Sequence, residues 1–119
     1  YQTRQRGENL MTKEELSELL HSLNIAVNEG TTSEKNENVY PRVLYWDYIW
    51  EDKLSSGECY EEWTTYQISF YSKTPKHSKL IELRNGLRDW GIHPTFYHEY
   101  VEEDKVWHSY FAIEVAEDE

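Results

Sequence analysis

The side chains of this chain best suited to chemistry are its histidines, its one cysteine and the carboxylates that neighbour its tryptophans. The histidines are His21, His77, His93, His98 and His108. If a hairpin turns near residue 103, His98 and His108 come opposite each other, and with Glu99 or Glu114 they would offer zinc the imidazole and carboxylate donors it takes. Alternation along a strand argues against that set, because Glu99 then points away from His98. Asp47, Asp52, Glu61 and Glu62 lie beside Trp46, Trp50 and Trp63, the ingredients of a glycosidase or carbohydrate platform. With 23 acidic residues among 119, such neighbours arise by chance. Cys59 has no histidine adjacent in sequence and no spacing that marks a nucleophile. Neither a Walker loop, a paired-glycine fingerprint, a GxSxG elbow nor an HExxH helix occurs. Nothing commits the chain to catalysis, to a metal or to a cofactor, so function has to be sought in assembly.

The elements that must carry these residues are legible from periodicity. From Thr64 onward, Glu61 to Tyr71 alternates cleanly: Tyr66, Ile68 and Phe70 fall on one side, Thr65, Gln67 and Ser69 on the other, as in a strand with one buried face. This is the expected central strand. Before it, Pro41 opens an aromatic strand with bulk on both faces, Leu44, Trp46, Tyr48 and Trp50 on one side and Val43, Tyr45 and Ile49 on the other, interrupted by Asp47. Ser-Ser-Gly turn chemistry links the two into a long hairpin arm that projects from the body. After it, Thr74 and Pro75 predict an N-cap and first helical residue, and Leu80, Leu83, Leu87 and Trp90 a helical stripe ending at Gly91. The predicted helix covers about 75 to 89. A second hairpin then turns around Glu102, Glu103 and Asp104, its last strand burying Trp107, Ser109, Phe111, Ile113 and Val115.

Upstream, Thr12 and Glu15 form a capping box, Met11 and Leu16 have the spacing of a hydrophobic staple, and Leu16, Leu19, Leu20 and Leu23 make a one-sided stripe stopped at Asn24. A helix over 13 to 23 follows, then a polar loop between Val27 and Tyr40. The first ten residues, YQTRQRGENL, lack periodicity and resemble an expression leader, so residues 11 to 119 are read as one domain. The order αββαββ predicts an α+β fold, a four-stranded mainly antiparallel sheet with both helices on one face. Its other face has no helix left to cover it.

Composition narrows the function classes. A net charge of −11 disfavours sequence-reading of nucleic acid, since phosphate contacts need Lys and Arg. Ten Tyr and five Trp in so small a chain must supply much of the core and some adhesive surface. A lone cysteine and the absence of any apolar run near about 20 residues point to a soluble protein of a reducing compartment.

The segments MTKEELSELLHSLNIAV, PRVLYWDY, YQISFYSKTPKHSKLIELRNGL with the following WGIHPTF, and the closing WHSYFAIEVAEDE resemble, in order and spacing, a family of small tail proteins of long-tailed bacteriophages and prophages. The resemblance is to the tail-terminator or tail-completion group. It implies an α+β subunit of a hexameric ring in the virion, made in the host cytoplasm. The ring would sit at the tail-head junction on the last ring of major tail tube protein, stop tube growth and receive the head connector or head-closure protein. Neither a membrane nor a specific nucleic-acid sequence is implied as partner. Within that picture Trp46, Tyr48, Trp50 and Trp63 of the first hairpin are the expected subunit interface, meeting a different surface on the next copy. Glu102, Glu103, Asp104 and the tail Glu117, Asp118 and Glu119 are candidates for a lumen that repels DNA phosphates, or else a solvated turn and terminus. The competing reading is a small acidic inhibitor or immunity-type protein that binds a basic partner through exposed aromatics.

Overall fold

Both helices and four of the five strands among the described residues fall where the periodicity places them; the fifth strand does not. The computed structural model describes residues 11–55 and 59–116, with the side chains of 52–62 left aside. The elements are α1 (Lys13–His21), β1 (Ala26–Glu29), β2 (Arg42–Ser55), β3 (Cys59–Ser72), α2 (Ser78–Asp89), β4 (Tyr97–Val101) and β5 (Val106–Ala116), with a short 3₁₀ turn at Glu34–Asn36. Residues 1–10 and the tail Glu117, Asp118 and Glu119 lie outside the described residues, as do the side chains of Asp52, Cys59, Glu61 and Glu62.

The sheet runs β1-β2-β3-β5-β4, so β3 is its middle strand. It is α+β, but five-stranded and mixed rather than four-stranded: Ala26–Glu29, expected to run into the polar loop, pairs in parallel with Arg42 to Tyr45. A parallel neighbour needs a crossover of about a dozen residues. Gly30 to Pro41 provides it, which is why this connection is long.

One face holds the core. Val43, Tyr45, Tyr66, Ile68, Phe70, Phe111, Ile113 and Val115 point to the same side, where Leu16, Leu20 and Leu23 and, from α2, Leu80, Leu83 and Leu87 pack on them. Each fully buried Leu, Ile or Phe contributes about 1.5–3 kcal/mol relative to exposure. Both helices therefore lie on one face, and the predicted odd-numbered core face of β5 is the observed one.

Local chemistry sets the helix ends. At α1 the Thr12 side chain accepts from the Glu15 backbone N–H at 3.2 Å while the Glu15 carboxylate accepts from Thr12 N–H at 2.9 Å. Met11 is fully buried, and its carbonyl accepts from Ala116 N–H at 3.0 Å. α2 begins at Ser78, not 75: Lys76 has φ +53°, and His77 rather than Thr74 is the N-cap, its Nδ1 accepting from Lys79 N–H at 3.0 Å. The helix ends in a Schellman motif, with Gly91 at φ +79°, Gly91 N–H on the Arg88 carbonyl and Ile92 N–H on the Leu87 carbonyl.

The register of β2 and β3 shifts between Asp47 and Ile49, a β-bulge at Tyr48. One extra residue inverts the alternation beyond it. Trp50 consequently lies opposite Thr64, on the core side, while Ile49 lies opposite Thr65, on the open side. The predicted set of Leu44, Trp46, Tyr48 and Trp50 on one face is thus corrected. Past Trp63, which faces Ala116 at the end of β5, β2 and β3 pair only with each other. This arm makes the domain elongated, 50 × 26 × 22 Å with a radius of gyration of 15.4 Å. A compact domain of this size has about 13 Å.

Candidate functional site

The face of the sheet opposite the helices carries an aromatic and cationic ladder. It starts at Arg42, whose guanidinium carbon lies 4.8 Å from the Tyr40 ring centroid and 4.6 Å from that of Tyr71. Cross-strand register continues it. Tyr71 faces His108, and their rings stack at 4.7 Å and 7°. His108 in turn stacks on Tyr110 at 4.8 Å, and Tyr110 on Tyr97 of the edge strand at 5.5 Å. Such cation–π and cross-strand pairs contribute about 0.5–1 kcal/mol each.

His108 is clamped within the ladder. Its Nδ1 meets Glu99 Oε2 at 2.9 Å and its Nε2 meets Ser69 Oγ at 2.9 Å. Both ring nitrogens are therefore occupied, and neither is open to a metal or to a substrate proton. Ser69 is wholly buried although no helix covers its face, because the stacked rings roof it. Burial under the same stack pushes the Tyr71 phenol up from its ordinary value of 10.0, with the Arg42 charge acting in the opposite direction.

The residues picked out for chemistry do not converge. His98 bonds Ser109 Oγ at 2.7 Å on the core side, whereas His108 lies on the open side, so the two are on opposite faces. The expected register was one residue out: Val101 pairs with Val106, and Lys105, at φ +56°, belongs to the turn. Glu99 consequently joins His108. Among the described residues no group of three His, Cys, Asp or Glu could hold a metal ion. No helix among them is long and apolar enough to cross a membrane.

The four predicted interface aromatics divide between the faces. Trp46 and Trp63 are half-buried on the open side, opposite Gln67 and Glu51. Tyr48, in the bulge, is 60% exposed. Trp50 is 77% exposed on the core side, beyond the helices, and its indole N–H donates to Asp47 Oδ2 at 2.7 Å. Glu102, Glu103 and Asp104 are exposed in the four-residue turn between β4 and β5. Sequence reasoning missed the ladder. Its only linear signal was that Arg42, Tyr71, His108 and Tyr110 each occupy off-core positions, and joining them requires the cross-strand register.

No protein-family pattern and no curated protein sequence matches the chain. Among solved structures, a chain of the virion of the native gene transfer agent (GTA) particle shares the fold, with a TM-score of 0.54 over 82% of this chain and 82% of that one. Identity is 11%, so the likeness concerns the fold.

Proposed function

We propose that this protein is a structural component of a phage-like virion. In this reading it assembles as a hexameric ring that caps the tail tube, stops its growth and joins the tail to the head connector. The observation that carries it is the fold shared with a chain of the GTA virion over 82% of both chains, read with the tail-terminator pattern of the sequence. An uncovered aromatic sheet face and a projecting arm support it, because ring closure needs two unlike adhesive surfaces on each subunit. The acidic balance also suits a conduit for DNA. Carboxylates such as Glu102, Glu103 and Asp104 at a lumen repel phosphates over about 8–10 Å at ordinary salt. The role is one of assembly, with tube protein and connector as partners and no catalytic step.

Deleting the gene from the phage or prophage that carries it and measuring tails by electron microscopy tests the reading. Overlong tubes without heads are expected. Tails of normal length joined to heads would refute it, and a one-to-one complex with a basic host or phage protein would favour an acidic inhibitor instead.

A further inference from the structure

Cross-strand register fixes what lies on the open face of the sheet. Its first row is Arg42, Tyr71, His108 and Glu99, with Arg42 on β2 and Glu99 on the edge strand β4. The next two rows, from Leu44 to Tyr97 and from Trp46 to Ala112, carry no charged residue, in a chain of which 29% is charged. An aromatic centre depleted of charge, with charges at its margin, is the composition of a buried interface core. Strands about 4.8 Å apart and roughly 30 Å long give this face about 500 Å² per copy. Two copies face to face cover about 1,000 Å², the size a specific interface has to reach.

The marginal charges are self-complementary. Arg42 forms no ion pair among the described residues: its Nη1 donates to the neutral Glu37 and Val39 carbonyls at 2.9 and 3.5 Å, and its buried Nε has no partner. Glu99 meets His108 through Oε2 and its side chain is 55% exposed. A twofold axis parallel to the strands, midway between β3 and β5, exchanges the two ends of this row. We propose that two copies stack open face to open face about that axis, each Arg42 pairing with Glu99 of the other copy. Sheets stacked in this way lie about 10 Å apart. Gln67 then faces Ala112 of the other copy, Leu44 faces Tyr97 and Glu114 faces Thr65, so that no like charges meet. The crossover between β1 and β2 rises on the same face, tied to it by Arg42 and by Asn36 Nδ2, which donates to Asn28 Oδ1 at 3.0 Å. In the dimer it lies beside the edge strand β4 of the other copy, where Tyr97 is exposed. A twofold contact is closed in itself and cannot propagate into a ring, so this dimer is the form of the free subunit and does not depend on the ring reading.

Sedimentation velocity of the full chain over a range of concentrations tests it. Wild type should pass from monomer to dimer and no further. Ala112 is exposed in the single copy and central in the dimer, so Ala112→Glu should leave the urea midpoint unchanged and weaken dimerisation by more than about tenfold. Ile81→Glu, on the exposed side of α2, should dimerise like wild type. Arg42→Glu and Glu99→Arg each set like charges against each other twice per dimer and should each lose roughly tenfold in association constant. An equimolar mixture of the two should recover, because in the mixed dimer both pairs are again of opposite sign. A wild type that stays monomeric overturns the inference, as does a dimer that Ala112→Glu leaves intact. Variants that weaken singly but do not recover when mixed overturn it too. A larger species that Ala112→Glu dissolves assigns the face to a ring contact, and a monomer whose binding to purified tail tubes Ala112→Glu abolishes assigns it to the tube protein; either result overturns the dimer and leaves the ring reading standing.

Discussion

Adjacent residues of β3 should respond very unequally to truncation, because the helices cover only one face of the sheet. Ile68 is fully buried between Tyr45 and Phe111, whereas Gln67, its neighbour, faces Trp46 and Ala112 on the open side. Ile68→Ala removes buried methyl groups and leaves a cavity beneath two helices, at a cost of about 3 kcal/mol. That is a large share of the roughly 5–15 kcal/mol that holds a domain together. With a urea m-value of about 2 kcal/mol/M, the midpoint falls by about 1.5 M. Gln67→Ala should stay within about 0.5 kcal/mol, a midpoint change below about 0.3 M. Ser69→Ala belongs between them. Its hydroxyl is buried on the open side and bonded to His108, and losing that bond costs about 1 kcal/mol. Equilibrium urea unfolding followed by tryptophan fluorescence reads all three. Equal losses for Ile68→Ala and Gln67→Ala would refute the one-sided packing, and with it the case for a free binding face.

Thr12→Ala removes the hydroxyl that accepts from Glu15 N–H, leaving only the backbone half of the α1 capping box, and should lower stability by about 1 kcal/mol in the same assay, with Thr12→Ser close to wild type. Gly91→Ala places a side chain in the left-handed region at φ +79°, which should cost about 1 kcal/mol and raise the unfolding rate of the protein. The raised phenol of Tyr71 predicts an alkaline effect: above pH 10.0 the unfolded chain releases this proton before the folded one does. Its contribution is therefore complete below that pH and declines as pH rises through the folded value. Unfolding curves between pH 9 and 11.5, roughly, should show a steeper loss in wild type than in Tyr71→Phe, and parallel losses would refute the burial argument.

Features set by neighbouring residues were legible in the sequence. Thr12 with Glu15 named the first helix start, Gly91 named the end of the second, and the alternation of Tyr66, Ile68 and Phe70 named the central strand and its buried side. What depends on distant pairing was not. Ala26–Glu29 is too short to show a period of its own and is a strand only because β2 offers it an edge. The bulge at Tyr48 carries neither glycine nor proline, so nothing local marks the inverted alternation that separates Trp50 from Trp46. The ladder on the open face was hidden for a related reason. One additional turn residue, Lys105, decides whether His108 meets His98 or Glu99, and a slip of one exchanges the partners of every side chain on the strand.

The bulge also governs how this arm tolerates changes of length. Adding or deleting one residue between Tyr48 and the tip, in β2 alone, would invert the faces a second time and carry Trp50 or its successors to the opposite side. A change of two residues, matched across the hairpin, would keep each side chain on its face and alter only the reach, by about 6.6 Å. Arms of different span can thus be built on the same body in steps of two, with the exposed Trp50 at the root unmoved.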